Sequence, residues 1–142
     1  MNSYLTIPLQ TKVLFEGGDH PTCDLNMSIA HCIHLVNTTS LGECSFDEDF
    51  GTEVWNVDFD NLKSRNQIKT TLRDAILKSI KRNEKRLKDI RVDLQIKQEE
   101  INTVNSSNRI KKRVDIGIVG KVVKTNENFN YSEYFYIGPL SY

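Results

Sequence analysis

The chain has 142 residues, 38% apolar and 27% charged, the composition of one folded globular domain around a single core. No apolar run reaches the ~18 residues of a membrane-spanning helix, and MNSYLTIPL lacks the basic start and apolar length of a secretory signal, so a cytoplasmic protein without membrane insertion is expected. The net charge of zero hides a partition into −9 over residues 1–62, +8 over 63–91 and +1 over the remainder, as expected of complementary surfaces within the fold or toward partners.

Residues 1–22 read as an N-terminal arm or edge strand, because Tyr4 to Phe15 alternates only weakly, Pro8 interrupts it, and Gly17, Gly18 and Pro21 break the chain. Asp24 to Thr38 reads as a helix capped by Asp24, with Leu25, Ile29, Cys32, Ile33 and Val36 on one face. His31 and His34 lie off that face. The three cysteines, Cys23, Cys32 and Cys44, lack a framework-like spacing and are expected as reduced thiols, with Cys32 packed as a small hydrophobe.

The next segment, GECSFDEDFG from Gly42 to Gly51, packs four carboxylates and two phenylalanines between two glycines. A glycosidase needs two carboxylates in a cleft with one in an apolar pocket, and a calcium loop needs alternating acids, a central glycine and a terminal glutamate. The second pattern is absent and the first is not visible in a short loop. Asp49-Phe50-Gly51 matches the kinase magnesium triplet, but the phosphate loop and the catalytic-loop signature are missing. The segment is therefore expected to be a turn, with Gly42 and Gly51 supplying backbone freedom, Phe46 and Phe50 anchoring it, and no catalytic or metal role.

A long helix is expected from Asn66 to Arg86, striped by Ile68, Leu72, Ile76 and Ile80 and basic on its opposite face. One more step along that stripe lands on Glu84, a charge where a core residue belongs. A carboxylate there needs a partner, and Arg86 is the near one. From Ile90 the period changes to two. Ile90 to Ile96, Val114 to Val123 and Tyr131 to Ile137 read as three strands, with a polar turn at Asn102 to Asn108. The expected fold class is α+β, a single domain over 1–142 with two helices packed on one face of a small antiparallel β-meander.

Thr39, Gly42, Glu43, Asp49, Phe50 and Gly51, followed by Glu84, Arg86 and Leu87 after a long helix, stand in the order and spacing of a known pattern. On these residues the chain, from about residue 20 to 137, resembles the baseplate-wedge and sheath-initiator family of contractile injection machines, which includes a phage tail wedge protein and the TssE component of type VI secretion. That pattern runs Thr-Arg-Pro-Gly-Glu-Arg, Pro-Asp-Phe-Gly and Glu-Pro-Arg. Here Ser40 and Leu41 replace Arg-Pro, Cys44 the second arginine, Glu48 the proline before Asp49, and Lys85 the proline of Glu-Pro-Arg. The resemblance implies a non-enzymatic structural protein that links the baseplate wedge to the first sheath ring and initiates sheath assembly. Its partners would be other wedge proteins and sheath subunits, with no cofactor, no small-molecule substrate and no nucleic acid. Two other classes remain open: a small carboxylate-dependent, lysozyme-like hydrolase, and a nucleic-acid-binding module built on the basic helix.

Overall fold

The computed structural model describes residues 3–56, 64–101 and 109–137. The turn expected at Asn102 to Asn108 lies outside the described residues. Within them the chain is an α+β fold whose element order begins with a strand β1 (Tyr4–Leu5), a one-turn helix α1 (Thr11–Phe15) and a strand β2 (Thr22–Cys23). Helix α2 (Leu25–Asn37), a 3-10 turn at Glu53–Asn56 and helix α3 (Arg65–Asn83) follow. Strands β3 (Leu87–Ile101), β4 (Arg109–Val122) and β5 (Asn128–Ile137) complete it. β1 and β2 form a small antiparallel ribbon, and β3, β4 and β5 form an antiparallel sheet in sequence order.

Both long helices start where their caps dictate. Asp24 accepts a hydrogen bond from Met27 N at 2.8 Å, and Ser64 Oγ accepts one from Gln67 N at 3.1 Å, each satisfying an amide that the first helical turn leaves free. α2 turns Ile29, Ile33 and Val36 inward, and α3 turns in Ile68, Leu72, Ala75, Ile76 and Ile80. All of these but Val36 join one core cluster with Val92 and Leu94 of β3 and Val114, Ile116, Ile118 and Val122 of β4. Each fully buried Ile or Leu contributes roughly 1.5–3 kcal/mol of hydrophobic stabilisation.

Several element boundaries differ from the sequence reading: β3 runs on to Ile101 rather than Ile96, β4 spans Arg109–Val122 rather than Val114–Val123, β5 starts at Asn128 rather than Tyr131, and two more change at the α3–β3 junction. α3 ends at Asn83 rather than Arg86, because Glu84 has the extended φ −117°, ψ 91° while its N–H still bonds to Ile80 O at 2.8 Å. β3 begins at Leu87, ahead of the alternating run. Leu87 pairs with Val122 and Lys88 with Lys121, but Arg91 pairs with Val119. This register shift is a β-bulge, and Asp89 sits in it at φ 53°. The extra residue reverses parity, so Leu87 and Val92 both face the core.

Candidate functional site

Three polar clusters hold the residues singled out by the sequence or tie the helices to the sheet. The first is the acidic turn. Thr39 Oγ1 donates to Leu35 O at 2.6 Å, and Thr39 O accepts Thr52 N at 2.9 Å. Ser40 and Glu43 bond reciprocally: Ser40 N donates to Glu43 Oε2 at 2.9 Å and Glu43 N to Ser40 O at 3.2 Å. Gly42, at φ 81°, donates its N–H to Glu48 O at 2.8 Å. Gly51 lies at φ 118°, and a Cβ there would stand 2.5 Å from Thr39 O, so the crossing of the two chain segments is closed to any side chain.

The basic helix holds this turn. Arg82 Nη1 donates to Asp49 O at 2.9 Å, and Arg82 Nη2 lies 3.4 Å from Asp47 Oδ1 and 3.6 Å from Asp49 Oδ2. Lys78 pairs with Glu53 at 3.2 Å. Part of the charge partition is therefore spent inside the fold. One expectation is corrected: Phe46 does not anchor the turn, being 92% exposed. Backbone bonds and Arg82 do that work, with Phe50 half-buried.

The second cluster is the junction between α3 and β3. Glu84 is 2% exposed. Arg86 Nε reaches its Oε1 at 2.8 Å, Arg86 Nη2 its Oε2 at 2.8 Å, and the Arg86 backbone N–H its Oε1 at 3.0 Å. The remaining arm of Arg86 donates to Ser28 Oγ on α2 at 2.9 Å, while Tyr4 of the ribbon lies under the guanidinium at 5.6 Å. The hydrogen bonds to Glu84 raise the guanidinium's pKa above its ordinary value. Burial, reinforced by Glu84, pushes the Cys32 thiol up from 9.0 to about 11. Leu87, the first residue of β3, is buried beside them. Arm, both helices and sheet meet here.

The third cluster lies between α2 and β5, and sequence reading missed it. Glu133 accepts three hydrogen bonds: from His34 Nδ1 at 2.8 Å, Asn37 Nδ2 at 2.7 Å and Tyr131 Oη at 2.8 Å. Because an ionised carboxylate only accepts, His34 must carry its proton on Nδ1 in this bond. Burial and the bond to Glu133 raise the pKa of Tyr131. Trp55 caps the end of α2, its Nε1 donating to Asn37 O at 2.9 Å, and its ring packs on Phe135 of β5 at 5.2 Å. A signal was available, because Phe129, Tyr131, Glu133 and Phe135 alternate as one inward stripe with a charge in it, much as Glu84 falls in line with the apolar stripe of α3 just past its end.

The carboxylates of the junction and of the β5 cluster are held by donors, and the acids of the turn are exposed or paired with Arg82. None stands in the unpaired apolar setting that makes a general acid. No group of three or more side chains suited to hold a metal ion occurs among the described residues, and no helix among them is long and apolar enough to cross a membrane. β5 pairs only with β4 among the described residues, so no described strand takes up the backbone donors and acceptors of its other edge.

The family model for baseplate wedge protein gp25 matches residues 23–127, a span that contains the acidic turn and the Glu84–Arg86 junction. No curated protein sequence matches the chain. Among solved structures, a Geobacter sulfurreducens protein provisionally named a tail lysozyme aligns with a TM-score of 0.61 at 18% identity, over 87% of this chain and 100% of that one. At that identity the likeness is one of fold. The matched family span, with the turn and junction in its frame, identifies the chain: it belongs to the gp25 family of baseplate wedge proteins.

Proposed function

We propose that the chain is a non-enzymatic, cytoplasmic component of a contractile injection machine that joins the baseplate wedge to the first ring of sheath and initiates sheath assembly. The baseplate role rests on the family. The sheath-joining role rests on one observation above others, the edge of β5 that no described strand covers, in a sheet whose position on α2 is fixed by Glu133 and by the Trp55–Phe135 contact. An edge strand held rigidly is a template for strand addition, in which main-chain hydrogen bonds supply affinity and alternate side chains supply register. The acidic turn and the Glu84–Arg86 junction then serve as scaffold, setting the angle between helices and sheet.

The name of the Geobacter protein favours a second reading, a lysozyme-like hydrolase. The three hydrogen bonds accepted by each of Glu84 and Glu133 and the pairing of Asp47 and Asp49 with Arg82 argue against it. Use of the basic helix for nucleic acid is weakened in turn by the commitment of Lys78 and Arg82 to acids of the same chain.

The experiment is sheath assembly on baseplates carrying Tyr134→Pro or Tyr136→Pro, each of which removes a backbone donor from β5. Variants that retain the wild-type circular dichroism spectrum are expected to lose sheath recruitment. Normal assembly with both would remove β5 from the account.

A further inference from the structure

The outward face of the β3–β4–β5 sheet is divided. At one end its charges interlock: Lys97 pairs with Asp115 at 3.6 Å, Arg113 with Asp115 at 2.8 Å and with Glu99 at 3.4 Å, and Tyr136 Oη donates to Glu99 at 3.1 Å. At the end beside the β-bulge they do not. Lys88 stands directly opposite Lys121, whose other cross-strand neighbour is Asn128; the next row is Arg91, Val119 and Asn130. Lys88, Arg91 and Lys121 make no ion pair with any described residue. Like charges placed opposite each other destabilise a sheet, and neither lysine has an ion pair with a described residue to offset this. These residues flank an open groove of about 580 Å³, with Val119, 43% exposed, on its floor.

We propose that this groove is a docking site for a segment of a partner protein in which acidic and apolar residues alternate. Carboxylates of the segment lie between Lys88, Lys121 and Arg91, and an apolar side chain covers Val119. Charge complementarity selects the acids, since Asp89 is the single carboxylate lining the groove against two lining cations and the adjacent Lys88. The exposed valine selects a peptide. Nucleic acid fits less well, because the two rows cross three strands and so span only about 10 Å. The groove's aromatic residue, Phe129, is 4% exposed and offers no stacking platform. The groove meets β5 at Asn128, Phe129 and Asn130, the first residues of the strand invoked for sheath, while its cations stand on β3 and β4, so charge reversal at Lys88 or Lys121 tests it without altering the backbone of β5.

The test uses fluorescence anisotropy of the full chain with a short fluorescein-labelled peptide alternating glutamate and valine, beside the matching lysine–valine peptide and a single-stranded oligothymidylate. Lys88→Glu and Lys121→Glu, singly, are expected to weaken the acidic peptide by about tenfold or more, whereas Arg73→Glu or Lys81→Glu on α3, with the same charge change, should weaken it by less than about twofold. Because Lys121→Glu replaces a repulsive cross-strand pair by an attractive one, it is also expected to raise the melting temperature by about 1–3 °C. Stability gained while binding is lost marks a surface shaped for a partner. The proposal is overturned by absence of acidic-peptide binding, by equal weakening from the α3 variants, by a lowered melting temperature in Lys121→Glu, by tighter binding of the oligothymidylate, or by self-association of the chain that Lys121→Glu abolishes.

Discussion

Arg86 grips both oxygens of Glu84 in a two-pronged contact, each prong 2.8 Å long, across a reversal of chain direction between helix and strand. The two partners differ in surroundings: the side chain of Glu84 is 2% exposed and that of Arg86 34%. Removing Arg86 leaves a buried carboxylate at the negative end of the α3 dipole with one backbone donor, which costs about 3–5 kcal/mol. Removing Glu84 leaves a guanidinium that can turn to water, and the loss should be nearer 1.5–3 kcal/mol. Arg86→Ala is therefore expected to be the more destabilising single variant in urea unfolding, with the double variant well short of the sum. Equal and small effects in all three would show that the pair is not a structural latch.

Gly51 and Gly42 make a paired prediction about the acidic turn. At Gly51 a methyl group would meet Thr39 O at 2.5 Å, whereas at Gly42 it would enter open space. Gly42→Ala should cost about 1 kcal/mol for its positive φ alone, while Gly51→Ala adds a backbone clash and should cost about 3 kcal/mol or more. Thermal melts of the two variants decide it.

Cys32 supplies a pH dependence. Its thiol is raised from 9.0 to about 11 by burial and by Glu84, so the folded state holds this proton more tightly than the unfolded chain. The stability that follows is intact below about pH 9 and is lost as pH rises through about 11. Cys32 should be alkylated by iodoacetamide only slowly at pH 8.5, since the thiolate is the reacting form. Glu84→Gln, which withdraws a negative charge from beside it, should speed that reaction; an unchanged rate would remove Glu84 as a cause.

Hydrolysis is the next expectation. Purified protein incubated with peptidoglycan should release no soluble sugar, because Glu84 and Glu133 each accept three hydrogen bonds and the turn acids are solvated or paired. Release that Glu43→Gln, Asp49→Asn or Glu133→Gln abolishes would overturn the structural reading.

The parts of the fold that were legible in the sequence are those governed by local physics. Asp24 and the spacing of Ile29, Ile33 and Val36 place α2, and Ile68 to Ile80 place α3, because one periodic face and one cap suffice. Glu84 was legible for the same reason, as a charge breaking an apolar stripe. What could not be read locally depends on distant partners. The ribbon of Tyr4–Leu5 with Thr22–Cys23 is two residues per strand and has no period of its own. Leu87 joins the core only because the bulge beyond it reverses parity. His34 and Asn37 meet Glu133 across 99 and 96 positions of sequence, and Phe46 faces solvent because Arg82, not an aromatic side chain, holds the turn.

We propose that sheath docks by adding a strand to the edge of β5 that no described strand covers. The most direct measurement is an electron cryo-microscopy reconstruction of the baseplate with its first sheath ring in place. A sheath strand hydrogen-bonded along β5 between Asn128 and Ile137 is expected, with the Glu133 cluster and the Trp55–Phe135 contact undisturbed beneath it. An unoccupied β5 edge, with sheath seated instead on β3 or on the acidic turn, would contradict it.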